Sequence, residues 1–124
     1  MIIDSNIIIY SAMPEYQKLR GFLSQNANDL VVSAITKLEV LGYHKISTEE
    51  KSFFEGFFQT IIVHPVNFAI IEKAILLRQK QKMTLGDSLI AATSISLNQK
   101  LLTNNVEDFT GLGELIVIPM QSIL

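Results

Sequence analysis

The sequence predicts an α/β fold with a central, mostly parallel sheet of four to five strands flanked by helices. Three observations carry this. Short apolar strand segments alternate with helical segments along the chain. Several of those strands are continuous apolar runs, such as "ELIVIP" at 114–119, the pattern of strands covered on both faces. The 124 residues contain no linker, repeat or low-complexity stretch, so residues 1–124 are expected to form one domain.

The elements follow in order. Met1 to Ile3 predicts a short buried strand that ends at Asp4. Pro14 suits a helix start, and Glu15 to Asn26 carries Leu19, Phe22 and Leu23 at helical spacing. "DLVVS" (29–33) predicts a second strand and "TKLEVLGY" (36–43) a helix. "TEEKSFFEGFFQ" (48–59) predicts a helix opened by Thr48, with acids in its first turn. "TIIVHP" (60–65) is a third strand, stopped by Pro65. Asn67 caps a long helix running to about Lys82, which Leu85-Gly86 breaks. "DSLIAATSISLNQ" (87–99) is a further helix, and "KLLTN" (100–104) and "ELIVIP" (114–119) complete the strands. In parallel sheets ligands bind outside the carboxyl ends of the strands, where Asp4 and Thr103-Asn104-Asn105 fall.

Composition narrows the function classes. Apolar residues make up 48% of the chain and the mean hydropathy is +0.33, a surplus that points to surface covered by a partner or a second copy. The absence of cysteine excludes disulfides, thiolate metal sites and cysteine nucleophiles. No run reaches the ~18 apolar residues of a membrane span, and Asp4 interrupts the apolar start, making it a poor signal peptide. A cytoplasmic protein with no membrane partner is expected. The net charge of −2 is not that of a generic nucleic-acid coat, so any attraction to nucleic acid is local or carried by metal ions.

Most of the twelve acids lie in polar surroundings. Three do not. Asp4 follows Ile2-Ile3, Glu39 lies between Leu38 and Val40, and Asp87 opens an apolar helix on which residues three, four and seven ahead are Ile90, Ala91 and Ser94. A buried carboxylate must be paired, hydrogen-bonded or bound to a cation. No basic residue stands at helical spacing to Asp87, and Lys37 does not share a face with Glu39. The three acids are therefore expected to meet around an outside cation. All-oxygen donors suit hard ions such as Mg²⁺ or Mn²⁺. Each acid also has a structural alternative: Asp4 as a turn residue capping Ser5 to Ile8, Glu39 as the third residue of a capping box on Thr36, and Asp87 as a helix cap after Gly86.

Taken in order, "MIIDSN", "SAITKLEVL", "LGDSLIAATS" and "LLTNNVEDF" resemble a PIN-domain ribonuclease, nearest to the small VapC-type toxins of toxin–antitoxin pairs. "GDSLIAAT" and "TNNVEDF" are the specific parts, and the likeness runs from Asp4 to Phe109. The resemblance implies a PIN-like three-layer fold and RNA cleavage with Mg²⁺ or Mn²⁺, in which an activated water attacks phosphorus in line and leaves a 5′-phosphate and a 3′-hydroxyl. It implies Asp4, Glu39 and Asp87 as metal ligands, and Ser5, Asn6, Thr103 and Asp108 as outer groups. The family's fourth position, an acid in some members and asparagine in others, is Asn105 here, which favours one tightly held ion over two. It further implies a cognate antitoxin and a homodimer.

Two surfaces support that reading. "KAILLRQKQK" brings Lys73, Arg78, Lys80 and Lys82 towards the Asp87 turn without an acid; these, with Lys37, are candidate RNA phosphate contacts, or a solvated helix end. "SFFEGFF" sets Phe53, Phe54, Phe57 and Phe58 on one helix, at least half of them core and the rest a groove for an antitoxin helix or a dimer contact. His44 and His64 are isolated and expected to be structural, and "GLGEL" (111–115) lacks the third glycine of a dinucleotide loop. A PIN-like module that binds RNA or protein without cutting it is the competing class. A phosphoacceptor domain is disfavoured because "DSN" lacks a second aspartate.

Overall fold

The computed structural model describes all 124 residues. Five parallel strands form one sheet in the order β3-β2-β1-β4-β5, where β1 is Ile2–Ile3, β2 Val31–Ser33, β3 Ile62–His64, β4 Leu101–Thr103 and β5 Val117–Pro119. The helices are α1 (Ser5–Ser11), α2 (Gln17–Gln25), α3 (Ala34–Leu41), α4 (Thr48–Thr60), α5 (Phe68–Lys80) and α6 (Leu85–Ser96). The expected three layers and sheet are present, and every strand pair is parallel.

The two residues of β1 divide between the two cores. Successive strand side chains point to opposite faces, so Ile3 and Leu102 enter one core with Ile7, Leu19, Phe54 and Phe58 from α1, α2 and α4. Ile2 and Leu101 enter the other with Ile70 and Leu77 from α5 and Ile90 from α6. Strand order runs one way from β1 to β3 and the other way from β4 to β5. The crevice at the β1/β4 boundary is therefore the topological switch point, where such sheets open to ligands.

Several element boundaries differ from expectation, each for a local reason. Residues 5–11 form a helix although Ile7 to Ile9 favour strands; Ile7 and Ile8 are fully buried, and packing overrides propensity. Helix α3 starts at Ala34 because the Ser33 side chain caps it, accepting from Ile35 N–H. Thr36 is thus inside the helix, not its cap, and the capping-box reading of Glu39 is wrong. Helix α4 opens at Thr48 as expected, and its cap is Ser47, which forms a reciprocal capping box with Glu50. Leu85-Gly86 does not break a helix but begins α6, with Thr84 as its cap and Asp87 in its first turn. Of the four phenylalanines on α4, Phe54 and Phe58 are core, Phe57 is partly buried and Phe53 is exposed.

Helix α6 is buried on nearly every side from Ser88 to Ser94, and its hydroxyls are satisfied internally: Thr93 donates to the Leu89 carbonyl and Ser94 to that of Ile90. This rigid central helix carries Asp87 at its exposed start. Because β1 is the middle strand, Ile3→Ala is expected to cost about 2–5 kcal/mol in urea unfolding, the range for truncating a fully buried isoleucine. A loss below about 1 kcal/mol would contradict its place in the core.

Candidate active site

The site is built where β1 and β4 end. Asp4 leaves β1 in an extended conformation, and one carboxylate oxygen accepts from the Ser5 N–H at 2.8 Å, capping α1. Its other oxygen accepts from the Thr103 hydroxyl at 2.6 Å and from the Asn6 amide at 3.3 Å. The Thr103 hydroxyl in turn accepts from Asn105 N–H at 2.9 Å, which commits its own proton to Asp4. Asn6 also accepts from Asn104 N–H at 3.3 Å, tying α1 to the end of β4. The capping alternative for Asp4 is therefore correct, and it coexists with a position at the sheet's carboxyl edge.

Ser5 orients a second acid. Its hydroxyl donates to Glu39 at 2.7 Å, so one residue holds both carboxylates through its N–H and its side chain. The Glu39 carboxylate lies directly over Gly86 at the start of α6. Asp87 follows on the same first turn, with its N–H bonded to the Thr84 hydroxyl at 3.1 Å. The chain thus runs Asp4, Ser5, Glu39, Gly86, Asp87 through space.

Of the three acids expected to be buried, Asp4 is, Asp87 is half-buried and Glu39 is exposed. The error at Glu39 has a simple cause: Leu38 and Val40 point away from its face, and Leu38 is itself exposed. No three acidic or imidazole side chains are drawn together tightly enough to enclose an ion unaided.

No lysine or arginine pairs with any of these acids; the only ion pair in the molecule is Lys73–Glu114 on the surface. Burial pushes the Asp4 carboxyl up to about 6, opposed by its bonds to Thr103 and Ser5 and assisted by Asp87 and Glu39. Burial also raises Asp87, opposed by Thr84 and assisted by Asp108 and Glu39. Asp108 sits in the 3₁₀ turn Val106–Phe109, exposed and close enough for its charge to be felt at Asp87.

At Asp87 opens a cleft of about 490 Å³ lined also by Lys82, Thr84, Glu107 and Asp108; Asp4 and Glu39 do not line it. Asn105, with Asn104, Glu107, Asp108 and Gln121, lines the adjoining hollow. Lys82 is the candidate phosphate contact that reaches the acidic cleft. Lys80 lines a separate hollow with Leu112 and Glu114, Lys37 lies in a groove with Glu55 and Gln59, and Arg78 donates to the Met83 carbonyl at 3.4 Å. His64 bonds the Pro65 carbonyl and His44 packs on Tyr43, both outside the site. Sequence reasoning passed over Glu107 and Thr84; the cap position before "LGD" was the signal for Thr84.

The residues fit a hard divalent cation. Every donor is oxygen, the charges of Asp87 and Glu39 raise Asp4 and those of Asp108 and Glu39 raise Asp87, and none is neutralised by a basic partner. The Asp4 oxygen that accepts from the Ser5 N–H retains a free lone pair, while the other already accepts two hydrogen bonds. An open arrangement suits an ion that keeps several waters.

The PIN domain family profile matches residues 1–114. The chain belongs to the PIN domain family. No curated protein gives a match. Among solved structures, this PIN domain is similar to a chain of a toxin–antitoxin complex from Klebsiella pneumoniae, with 26% identity, a TM-score of 0.76 and 94% of each chain covered. It is similar in fold to a chain of VapBC2 from Rickettsia felis, solved bound to a promoter DNA fragment, with 20% identity, a TM-score of 0.81 and coverage of 95% and 96%. It is likewise similar to a chain of DNA-bound VapBC from Salmonella typhimurium, with 19% identity, a TM-score of 0.82 and the same coverage.

The raised Asp4 pKa has a consequence for stability without metal. Folded Asp4 holds its proton up to about pH 6, whereas the unfolded group loses it near 3.8. The protonated carboxyl's contribution is thus complete below pH 3.8 and is lost as pH rises through 6. Asp4→Asn keeps an oxygen for the Ser5 N–H but sets an amide NH2 against the Thr103 hydroxyl, so in EDTA it is expected to lose that bond. It is also expected to flatten the fall in stability across pH 4 to 6. A fall in stability between pH 4 and 6 as steep in the variant as in wild type, read by thermal unfolding, would contradict this.

Proposed function

We propose that this chain is a Mg²⁺- or Mn²⁺-dependent endoribonuclease acting in the cytoplasm as the toxin of a VapBC-type pair. The observation that carries this reading is the buried Asp4 carboxylate beside Glu39 and Asp87 with no cationic side chain among them. PIN domains are nucleases, and the solved chains similar to this one come from toxin–antitoxin complexes.

Asp4, Glu39 and Asp87 would hold the ion, and Asn105, with Thr103, orients the site. When bound, such an ion lowers the pKa of water and offsets charge that builds on a phosphodiester. The protein's part is positioning. Thr103 and the Ser5 N–H fix the two oxygens of Asp4, and the Ser5 hydroxyl fixes Glu39. Asn6 holds the β4 end against α1. Asp108 and Glu107 extend the acidic wall beyond Asp87, and Lys82 offers the cleft's cation to an RNA phosphate.

Two apolar surfaces support partners. Phe53 and Phe57 line a groove of about 540 Å³ between α2 and α4, on which we place an apolar antitoxin segment. Exposed Phe68, Ile71 and Ile75 form a stripe along α5 suited to a second copy of the chain. No helix is long and apolar enough to cross a membrane.

A second reading, a PIN-like module that binds RNA or protein without cutting it, draws on the neutral Asn105 at the family's fourth acidic position. The two are separated by incubating purified protein with total RNA. The nuclease reading expects cleavage with Mn²⁺, none in EDTA, and a loss of roughly a hundredfold or more in Asp4→Asn and Asp87→Asn, the scale for removing a charge-stabilising group. RNA left intact by wild type under all metals, or cut equally by all three proteins, would exclude it.

A further inference from the structure

Gly86 occupies the second position of α6, where a residue with a side chain is favoured over glycine by helix propensity. Its backbone does not require glycine, because its φ is not in the left-handed region. The requirement is spatial. A Cβ built on Gly86 would stand 2.5 Å from one Glu39 carboxylate oxygen, 3.2 Å from the carboxyl carbon and 3.5 Å from the other oxygen. All three contacts are with the end of one flexible side chain. A methyl group there would leave the fold intact and displace only the Glu39 carboxylate.

We propose that Gly86 is a positioning residue: its missing side chain seats the Glu39 carboxylate between the Ser5 hydroxyl and the start of α6, and so fixes one ligand of the cation site. This rests on the divalent-cation reading above. The seat has two walls. The Ser5 hydroxyl bonds one Glu39 oxygen at 2.7 Å, and Gly86 receives the other. Because Asp87 is the next residue on the same turn, the α6 backbone places two of the three acids relative to each other. Gly86 does this without contributing an atom beyond its backbone. Shortening Glu39 by one methylene would withdraw its carboxylate by about 1.5 Å, leaving room for a methyl on Gly86.

The test is a double-mutant cycle on the full chain with Gly86→Ala and Glu39→Asp, read two ways. Mn²⁺ affinity is measured by the electron paramagnetic resonance of free Mn²⁺, with Asp4→Asn as the control for the site itself. Gly86→Ala is expected to weaken Mn²⁺ binding about tenfold in the wild-type background, the scale for disturbing a ligand's support, and to have no further effect once residue 39 is aspartate. An equal loss in both backgrounds, or no loss in the first, would overturn the proposal. The second readout is thermal unfolding in EDTA, which needs no metal. Gly86→Ala is expected to raise Tm more in the Glu39→Asp background than in wild type, because the helix gain is then free of the clash. Equal shifts would overturn the contact. Wild type binding Mn²⁺ no better than Asp4→Asn would instead sink the cation reading, and the EDTA cycle would still decide whether Gly86 seats Glu39.

Discussion

The Thr103 hydroxyl reaches Asp4 at 2.6 Å across the boundary between β1 and β4. That bond joins the two strands at which the sheet's order reverses, and it aims a buried carboxylate out of the sheet's carboxyl edge. Around it the structure supplies donors: the Ser5 N–H, the Asn6 amide and, through Thr103, the Asn105 N–H. These soften the cost of burial without abolishing it, and the Asp4 carboxyl still rises to about 6. A helix cap alone does not call for a charge, since asparagine caps as well. Keeping the charge at this position is a stability cost of the kind that functional sites retain.

The charge distribution elsewhere follows the same logic. Ten basic residues are available, yet the single ion pair forms on the surface between Lys73 and Glu114. Exposed pairs of that kind contribute little to stability. Lys82 lines the acidic cleft, while Lys37 and Lys80 line other hollows. The acids are therefore left without a cationic partner, and Lys82 shares the cleft that Asp87 lines.

Much of this was written in local pattern. Continuous apolar runs gave the strands, and the ends of β1 and β4 told where Asp4 and Thr103 would meet. The helix at 5–11 was hidden because three consecutive isoleucines favour strands, and only burial of Ile7 and Ile8 makes a helix pay off there. The starts of α3 and α6 were misplaced because the sequence offers several hydroxyl caps, and Ser33 and Thr84 were chosen by backbone geometry. The apolar neighbours of Glu39 in sequence suggest burial, but on a helix they face elsewhere and Glu39 is exposed. The seat on Gly86 was invisible for a different reason: it is a contact between distant segments that only three-dimensional placement reveals.

The most direct check is the anomalous diffraction of crystals soaked in Mn²⁺ at neutral pH. A peak within coordination distance of an Asp4 oxygen, and of Glu39 or Asp87, is expected at the crevice beyond β1 and β4. A well-ordered crystal with no peak there, or with manganese bound only at other acids, would contradict the assignment of these carboxylates to a cation.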